Sequence, residues 1–585
     1  MKRQVWAVIT VIALVSTGAA ACGGGSKKTT GTSSGGSSSA KYNAAVDSVV
    51  NASDTKGGTL TFGNSDDFDS TDGGNTYYAY SLNFNRLYER PLTTYAPKTG
   101  AAGLQAVPDL AQGLGTPSNG MRTWTFKLRP NLKYEDGTPI KAADVKYAIA
   151  RTFDRGILGN GPSYFAHLCV DAATYKGPYK DKNINDFKCV DAPDDTTVVI
   201  KFKDPFPDMN LLVAFPQTAP VPQAKDTGAQ YALHPISSGP YKWQGNFQPK
   251  VGGTLVRNTN WDPASDPIRK ALPEKIVYKA GMQENEIDQE LINGTLDVDI
   301  AGTGVKTAAR QQILSNAKLK ANADDPVAGF HWFLPINTQI VTNVNCRKAM
   351  IDGVDRDAMW RAYGGDIGGQ LATSIMPPAV AGRQPSNIFP VKAGDTGDQA
   401  KAKADLQACN KPNGFSATMI YRSDRDKEKA VAQAVQQSLA KVGIQLSLKG
   451  YPSGGYTGSN AGSPDFMKKN NVAIATYGWA ADWPTGYGYL EPLTDGAAIV
   501  NSGNSNVEML NDPAINQLWK QVVTVADENQ RNAIYNQIDQ KVLEQAAIMP
   551  NVYAKSLLYR SPKLTNVFFQ EQWGMYDYTA LGKTQ

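Results

Sequence analysis

The stretch SDRDKEKAVAQAVQQSLAKVGIQLSL, residues 423–448, determines the fold class that the sequence predicts. Four of its apolar residues recur at three- and four-residue steps: Val431, Val435, Leu439 and Val442. This spacing predicts an amphipathic helix that begins at Ser423 or Asp424 and ends at Gly443. Apolar and polar residues then alternate over 444–448, which is the pattern of a strand. A helix, a glycine and a strand in this order form an α/β unit, so the sequence predicts an α/β protein.

Similar patterns recur along the chain. Residues 124–128 alternate as a strand, and 144–153 have the spacing of an amphipathic helix. Helices are also predicted over 284–293, where Gly294 ends the helix, and over 530–547. The sequence has no internal repeat of the length that builds a solenoid. The body of about 540 residues is larger than one hydrophobic core usually serves, so two or more lobes are expected.

The first 21 residues have the layout of a secretory signal peptide. Lys2 and Arg3 are positively charged, residues 5–15 are almost wholly apolar, and residues 16–21 are small. The apolar run is shorter than the roughly 20 residues that a membrane-spanning helix needs. We therefore predict that residues 1–21 direct export.

Cys22 follows the alanines 19–21, and this motif resembles the lipobox of bacterial lipoproteins, in which the cysteine thiol receives a diacylglyceryl group. Residues 23–40 contain only Gly, Ser, Thr, Lys and Ala, a composition typical of a flexible coil. We expect residues 22–55 to comprise the lipidated cysteine and its tether. The alternative is ordinary signal-peptide cleavage, which would release a soluble protein.

Composition excludes several classes of function. The formal net charge is +5, charged residues make up 19% of the chain, and no basic stripe is present, so no nucleic-acid partner is expected. The three histidines are far apart, and the chain has no nucleophile elbow, phosphate loop or zinc-protease motif, so we expect no catalytic residue, metal or cofactor. The 26 Tyr and 10 Trp residues suit a polar-aromatic binding cleft, although a large core would account for most of them.

Several short motifs occur in an order that is typical of one family. They are Gly58-Thr59-Leu60, Pro108-Asp109-Leu110-Ala111, Trp124 to Phe153 with Asp136-Gly137-Thr138-Pro139, Ser238-Gly239-Pro240-Tyr241, Val256-Arg257-Asn258, Leu334-Pro335-Ile336-Asn337-Thr338 and Arg347-Lys348-Ala349. Together they resemble bacterial extracellular solute-binding protein family 5, the large binding proteins of ABC importers for oligopeptides and dipeptides. The resemblance covers essentially the whole body of the chain.

The resemblance implies a two-lobed, periplasmic-binding-protein-like fold of type II, with an extra N-terminal subdomain and two crossing hinge strands. Lobe I is expected over 56–332, with the subdomain at about 81–222, and the chain returns to it over 549–585. Lobe II is expected over 333–548. The hinge strands are expected near 333–337 and 548–552.

With Cys22 assigned to lipid, four cysteines remain in an oxidising compartment, and they allow three pairings. We favour Cys169–Cys189 and Cys346–Cys409, because each of these pairs falls within one expected lobe.

The segment Thr476-Tyr477-Gly478-Trp479-Ala480-Ala481-Asp482-Trp483-Pro484 is the strongest candidate for a ligand site. In peptide-binding relatives the matching aspartate pairs with the α-ammonium group of the peptide, and Asp482 falls on that position. We expect Tyr477 and Gly478 to lie along the ligand, since glycine permits close backbone approach. Trp479 and Trp483 would supply apolar walls. The alternatives are a turn aspartate that caps Trp483-Pro484 and tryptophans that belong to the core.

Further candidates lie elsewhere in the chain. Asn64 and Asp66 follow the first strand, where relatives contact the ligand, and Tyr77 lies at the start of a helix. Solvated loop carboxylates and a core aromatic are the alternatives for these positions. The carboxylate of a peptide would need a cation, for which the candidates are Arg422, Arg425 and Lys468.

The resemblance implies a substrate-binding lipoprotein of an ABC importer that captures peptides in an interlobe cleft and delivers them to the membrane permease. Its partners would be the permease and ATPase subunits, and it would act as a monomer anchored through Cys22 to the outer face of the cytoplasmic membrane. The alternatives are an oligosaccharide or another small solute as ligand, a peptide-sensing lipoprotein, and a secreted hydrolase.

Overall fold

The structure is a computed structural model, which describes residues 41–392 and 394–584. The predicted signal peptide, Cys22 and the tether up to residue 40 lie outside the described residues. No helix in the described ranges combines the length and the apolar character that a membrane span requires.

Helices and strands alternate along most of the described chain. The helices are α1 (Ala44–Asp47), α2 (Ala79–Asn85), α3 (Ala142–Arg151), α4 (Tyr164–Leu168), α5 (Met209–Leu212), α6 (Glu284–Asn293), α7 (Thr307–Ser315), α8 (Ala317–Lys320), α9 (Val344–Asp352), α10 (Arg356–Tyr363), α11 (Gly365–Gly368), α12 (Gln399–Ala408), α13 (Asp426–Ala440), α14 (Pro464–Lys469), α15 (Gly486–Thr494), α16 (Pro513–Val522) and α17 (Glu528–Glu544). The strands are β1 (Thr59–Gly63), β2 (Thr93–Tyr95), β3 (Ala106–Pro108), β4 (Thr116–Ser118), β5 (Thr123–Lys127), β6 (Val190–Asp194), β7 (Thr197–Lys201), β8 (Tyr241–Trp243), β9 (Gly252–Arg257), β10 (Lys275–Lys279), β11 (Val298–Asp299), β12 (Ala323–Asp324), β13 (Val327–Pro335), β14 (Gly369–Leu371), β15 (Ser416–Arg422), β16 (Gln445–Tyr451), β17 (Val472–Ala475), β18 (Tyr477–Ala480), β19 (Ile548–Lys555), β20 (Leu558–Tyr559), β21 (Leu564–Thr565), β22 (Phe569–Gln570), β23 (Met575–Tyr576) and β24 (Gly582–Lys583).

Buried apolar side chains form two large cores. The first core draws on residues 44–300 and 558–581. The second core draws on residues 333–552. Trp483 is an exception, because it packs in the first core although its neighbours in sequence belong to the second. We call the parts of the chain around these cores the first lobe and the second lobe; the predicted lobe boundaries stay a prediction.

The first lobe contains a five-stranded sheet in the order β11-β1-β10-β9-β8. Strand β1 is parallel to β10 and β11, and β9 is antiparallel to β8 and β10. Leu60 and Phe62 of β1 are fully buried, because alternate residues of a strand face the same side of the sheet. The loop that follows β1 leads to Tyr77 at the candidate site.

A second sheet in the first lobe is antiparallel, in the order β4-β5-β7-β6. Trp124 and Phe126 of β5 are buried in the core, as is Ile149 of α3, which contacts β6 and β7. Cys169 and Cys189 are joined by a disulfide beside this sheet. These elements all lie within the range predicted for the extra subdomain.

The second lobe contains a parallel three-stranded sheet in the order β16-β15-β17. Helix α13 connects β15 to β16, with Val431, Val435 and Leu439 buried on its inner side. Helices α9 and α12 pack together, and the second disulfide joins Cys346 of α9 to Cys409, the residue after α12. Both disulfides join the cysteines that we paired from the sequence.

A four-stranded antiparallel sheet in the order β14-β19-β13-β18 lies where the chain passes from one core to the other. Its two central strands overlap the segments in which the sequence placed the hinge: β13 includes residues 333–335 of the first segment, and β19 includes the whole of 548–552. Strand β18, which precedes Asp482, is the edge strand next to β13. This sheet therefore carries the strongest candidate segment to the boundary between the lobes.

Candidate ligand-binding cleft

Residues of both lobes line a cavity of about 650 Å³. This volume lies in the range of binding pockets for small molecules. The first lobe contributes Tyr77, Tyr78, Phe215 and the C-terminal segment 571–575, and the second lobe contributes Tyr363, Arg422, Arg425, Lys427, Ala480, Ala481, Asp482 and Pro484. Phe330 and Trp332 of β13 complete one wall.

That wall depends on a glycine. Strand β18 pairs with β13 so that Gly478 lies opposite Trp332 and Ala480 opposite Phe330. The two rings lie 4.7 Å apart, and a Cβ at Gly478 would come within 2.4 Å of Phe330 and 2.5 Å of Trp332. Gly478 therefore makes room for two rings of the protein itself, whereas we had expected it to admit the ligand backbone.

Asp482 lines the cavity two residues after the end of β18. Its carboxylate accepts hydrogen bonds from two first-lobe hydroxyls, that of Tyr77 at 2.7 Å and that of Tyr164. Burial raises the pKa of Asp482 to about 6, although the two hydroxyl groups act in the opposite direction. The alternative role of Asp482 was to cap the turn at Trp483-Pro484. The N-cap of the following helix, α15, is instead Thr485, whose side chain accepts a hydrogen bond from the Gly488 amide.

The backbone before α2 holds Tyr77 in place. The Asp69 carboxylate accepts hydrogen bonds from the amides of Tyr77 at 2.6 Å and Tyr78 at 3.2 Å. The Tyr77 and Tyr78 side chains are 37% and 51% exposed, so these rings are available to a ligand. Asp69 thus has a positioning role that its place in an acidic loop did not indicate.

The other predicted residues of the segment after β17 face away from the cavity. Tyr477 is buried in the second core, and the half-buried Trp479 packs against that core, since residues two apart in a strand share a face. Trp483 is fully buried, and its indole N–H donates to Asp208 at 2.8 Å. The Trp483 ring lies 4.9 Å from that of Tyr164 and so joins the second lobe to the first. These three side chains do not line the cavity, in contrast to our expectation of ligand walls.

Asn64 and Asp66 also lie away from the cavity. The buried Asn64 amide donates to the hydroxyl of Tyr278 at 3.3 Å and accepts from the backbone N–H of Asp66 at 3.2 Å. The Asp66 side chain is exposed outside the cavity lining. Both residues therefore shape the loop, whereas we had expected them to contact the ligand.

Three cations of the second lobe also line the cavity: Arg422, Arg425 and Lys427. The guanidinium carbons of Arg422 and Arg425 lie 5.1 Å and 5.8 Å from the Trp332 ring, and the Lys427 ammonium lies 5.0 Å from the Tyr363 ring. Lys468, the third cation considered from the sequence, does not line the cavity. Sequence reasoning missed Lys427, which its place beside Arg425 at the start of the predicted helix could have indicated.

The wall formed by residues 571–575 was missed as well. Gln572 donates to the backbone carbonyl of Asp482 at 3.1 Å, and the buried Trp573 packs edge-on against Tyr95 at 5.5 Å. Residues close to the C-terminus therefore support the aspartate from the first lobe. A lone Trp-Gly pair in this region of the sequence gives little local signal of such a role.

Comparison with known proteins identifies the family. The family model of bacterial extracellular solute-binding proteins, family 5 Middle, matches residues 105–501. The solved structure titled clavulanic acid biosynthesis oligopeptide binding protein 2 is 37% identical, with a TM-score of 0.90, and the match covers 94% of this chain and 99% of that one.

Two curated relatives match more distantly. The glutathione-binding protein GsiB of Shigella dysenteriae serotype 1 (strain Sd197) is 24% identical over 489 residues, which cover 80% of this chain and 84% of that protein. The periplasmic oligopeptide-binding protein OppA of Salmonella typhimurium is 24% identical over 476 residues, which cover 76% of this chain and 82% of that protein.

These matches confirm the predicted α/β fold of two lobes joined by a two-strand hinge. Members of this family are binding proteins of transport systems and are not enzymes. The chain belongs to the bacterial extracellular solute-binding proteins of family 5.

Proposed function

We propose that this protein is the extracytoplasmic substrate-binding lipoprotein of an ABC importer, which captures peptides in the cleft and delivers them to a membrane permease. The observation that carries this proposal is the pair of opposite charges that line the cavity. Asp482 is acidic, whereas Arg425 and Lys427 are basic and lie beside the rings of Trp332 and Tyr363. A peptide carries an ammonium group at one end and a carboxylate at the other, so it matches this arrangement.

The ammonium group of the peptide would pair with Asp482. Two tyrosine hydroxyls donate to this carboxylate, and burial disfavours its charged form. A bound ammonium group would favour the ionised carboxylate again, because an opposite charge in a partly desolvated site is strongly stabilising. The hydroxyls of Tyr77 and Tyr164 would then serve as additional hydrogen-bond partners for the ammonium group.

The separation of Asp482 from the cations near Trp332 indicates the length of the ligand. Arg422 and Arg425 stack near Trp332, which lies opposite Gly478. Asp482 follows Gly478 by four residues, a separation of at most about 13 Å at 3.3 Å per residue. An extended peptide has the same rise, so roughly three or four residues would bridge Asp482 and the cations near Trp332.

Delivery requires that the lobes open and close. We place the hinge in β13 and β19, because both strands connect the two cores, and closure needs only a few residues that absorb backbone rotation. The lobe boundaries after residues 332 and 548 are part of this proposal. Lipidation of Cys22 is proposed from the sequence alone, and it would keep the binding protein near the permease and the ATPase subunits.

Oligosaccharide is the alternative ligand, because the exposed rings of Tyr77 and Tyr78 would also suit the faces of sugars. The two ligands differ in what they need from Asp482. A peptide needs the charge of the carboxylate, whereas a sugar needs only a hydrogen-bond acceptor, which an amide also provides.

Calorimetric titration of the mature protein with Ala-Ala-Ala and with cello-oligosaccharides tests the proposal. We expect the tripeptide to bind and Asp482→Asn to weaken it at least about tenfold, because the ammonium loses its partner. The matched control is Asp66→Asn, an exposed carboxylate outside the cavity, which should leave the affinity unchanged. A protein that binds the sugar and no peptide, or an Asp482→Asn variant with unchanged peptide affinity, would refute the proposal.

A further inference from the structure

Asp482 is attached to the first lobe, although β18 and α15 on either side of it pack in the second. Its carboxylate accepts hydrogen bonds from the hydroxyls of Tyr77 and Tyr164, and its backbone carbonyl accepts one from Gln572 at 3.1 Å. All three donors belong to the first lobe. The position of the segment after β18 therefore decides whether Asp482 meets these donors.

Asp208 of the first lobe holds this segment. Its carboxylate oxygen Oδ2 accepts hydrogen bonds from the indole N–H of Trp483 at 2.8 Å and from the hydroxyl of Thr485 at 2.6 Å. The three residues are 3%, 0% and 7% exposed, so water does not compete for these bonds. Asp208 thus fixes two of the three residues that follow Asp482.

The Asp208 side chain serves the second lobe and not its own helix. Asp208 precedes α5, at a position where an aspartate commonly caps the helix, but its side chain makes no capping bond. Its remaining partner is Arg531 of α17, whose Nη2 lies 3.8 Å from Oδ1. Burial raises the pKa of this carboxyl group, whereas the hydrogen bonds of Thr485 and Trp483 and the charge of Arg531 favour its ionised form. Within the described residues, every side-chain partner of this carboxylate lies in the second lobe.

Two routes connect this carboxylate to Asp482. On the first, the Trp483 ring packs edge-on against that of Tyr164, and the Tyr164 hydroxyl donates to Asp482. On the second, the Thr485 hydroxyl accepts from the Gly488 amide at 3.2 Å, and the Gly488 carbonyl accepts from the Asp482 amide at 3.0 Å. Loss of the buried carboxylate would therefore loosen both the side chain and the backbone of Asp482.

We infer that Asp208 is a positioning residue for ligand binding, which holds the segment 483–485 on the first lobe and thereby places the Asp482 carboxylate in the cavity. This inference rests on the proposed function, in which Asp482 pairs with the ammonium group of the peptide. Asp208 itself does not line the cavity. Its effect on affinity should therefore depend on the charge of Asp482 and disappear when that charge is removed.

A double-mutant cycle, measured by calorimetric titration with Ala-Ala-Ala, tests the inference. We expect Asp208→Ala to weaken binding about five- to tenfold in the otherwise native protein, because Asp482 loses its position. In the Asp482→Asn background the same substitution should weaken binding about twofold or less. A general loss of structure would instead weaken binding equally in both backgrounds.

Three further variants complete the test. Asp208→Asn keeps an oxygen that accepts from Trp483 and Thr485, so its affinity should stay within about threefold of the native value. Thr485→Val removes one of the two bonds and should weaken binding about two- to fivefold, which keeps the inference testable if Asp208→Ala does not fold. Asp204→Ala is the matched control and should leave the affinity unchanged, since Asp204 is exposed in the same loop and does not line the cavity.

Hydrogen exchange at the amides of Asp482 and Gly488 tests the positioning without a ligand. Exchange at both amides should be at least about tenfold faster in Asp208→Ala and unchanged in Asp204→Ala. Unchanged exchange or unchanged affinity in Asp208→Ala, or an equal loss of affinity in both backgrounds, would overturn the inference and leave the proposed function standing. If the native protein binds no peptide, the proposed function fails, and the exchange rates alone decide whether Asp208 positions this segment.

Discussion

Peptide affinity should decrease as the pH falls through 6, because only the ionised carboxylate of Asp482 attracts an ammonium group. Burial raises the pKa of this carboxyl group to about 6. If only the ionised form binds, the apparent Kd is multiplied by the factor 1 + 10^(pKa − pH). The factor is about 11 at pH 5 and about 1.1 at pH 7, so the affinity should fall about tenfold between these values.

Ala-Ala-Ala is a suitable probe, because its own groups do not titrate in this window. An α-amino group has a pKa of roughly 7.7–8.0 and an α-carboxyl group of roughly 3.3–3.7, so the peptide keeps both charges between pH 5 and 7. Within the protein, burial raises the pKa of Glu491 to about 7, and the charges of Asp495 and then Asp482 add to the effect. The variant Asp482→Asn separates the two groups, because it removes one titration and leaves that of Glu491.

Isothermal titration at pH 5 and pH 7 measures the effect directly. At pH 6, titration in two buffers of different ionisation enthalpy should also detect the release of about half a proton per peptide bound, as the ammonium group displaces the proton of Asp482. In Asp482→Asn the residual binding should lose both the pH dependence and the proton release. Equal affinity at pH 5 and pH 7, or a pH dependence that persists in Asp482→Asn, would refute the reasoning.

Three further predictions follow from the packing and the sequence. Trp483→Ala should reduce the free energy of unfolding by about 3–5 kcal/mol in a urea titration, because the ring is fully buried; a loss no greater than that of the half-buried Trp479→Ala would contradict this. Gly478→Ala should lower the free energy of unfolding by about 1–3 kcal/mol in thermal denaturation, since the added Cβ would overlap the Phe330 ring; an unchanged Tm would contradict this. Cys22→Ala should release the protein from the membrane fraction into the medium, and continued membrane association would exclude the lipid anchor.

The local α/β units could be predicted because their signal is periodic. A helix was predicted over 284–293, and α6 has these bounds; Gly294 ends it with a left-handed φ of 75°. In the unit at 423–448 the helix and the strand are both present, but α13 starts at Asp426. Asp424 does not cap the helix, because its carboxylate accepts a hydrogen bond from the hydroxyl of Ser453, 29 residues further along the chain. Such a tertiary contact has no counterpart in the local pattern.

The candidate site could be predicted only in part, for the same reason. The motif around Asp482 identified a carboxylate that lines the cavity, and Tyr77 lines it as well. Which neighbours of Asp482 face the cavity depends on the pairing of β18 with β13 and on the Phe330 and Trp332 rings. The position of Trp483 depends on Asp208, which is 275 residues away in sequence. Neither partner could be identified from the segment itself.

A crystal structure of the mature protein with Ala-Ala-Ala tests the central claim most directly, through the distance between the ligand ammonium nitrogen and the Asp482 carboxylate. We predict a charge-assisted hydrogen bond of about 2.7–2.9 Å to that carboxylate, with the C-terminal carboxylate of the peptide directed toward Arg425 and Lys427. A tripeptide bound in the reverse direction, or one whose ammonium group lies away from Asp482, would contradict the account.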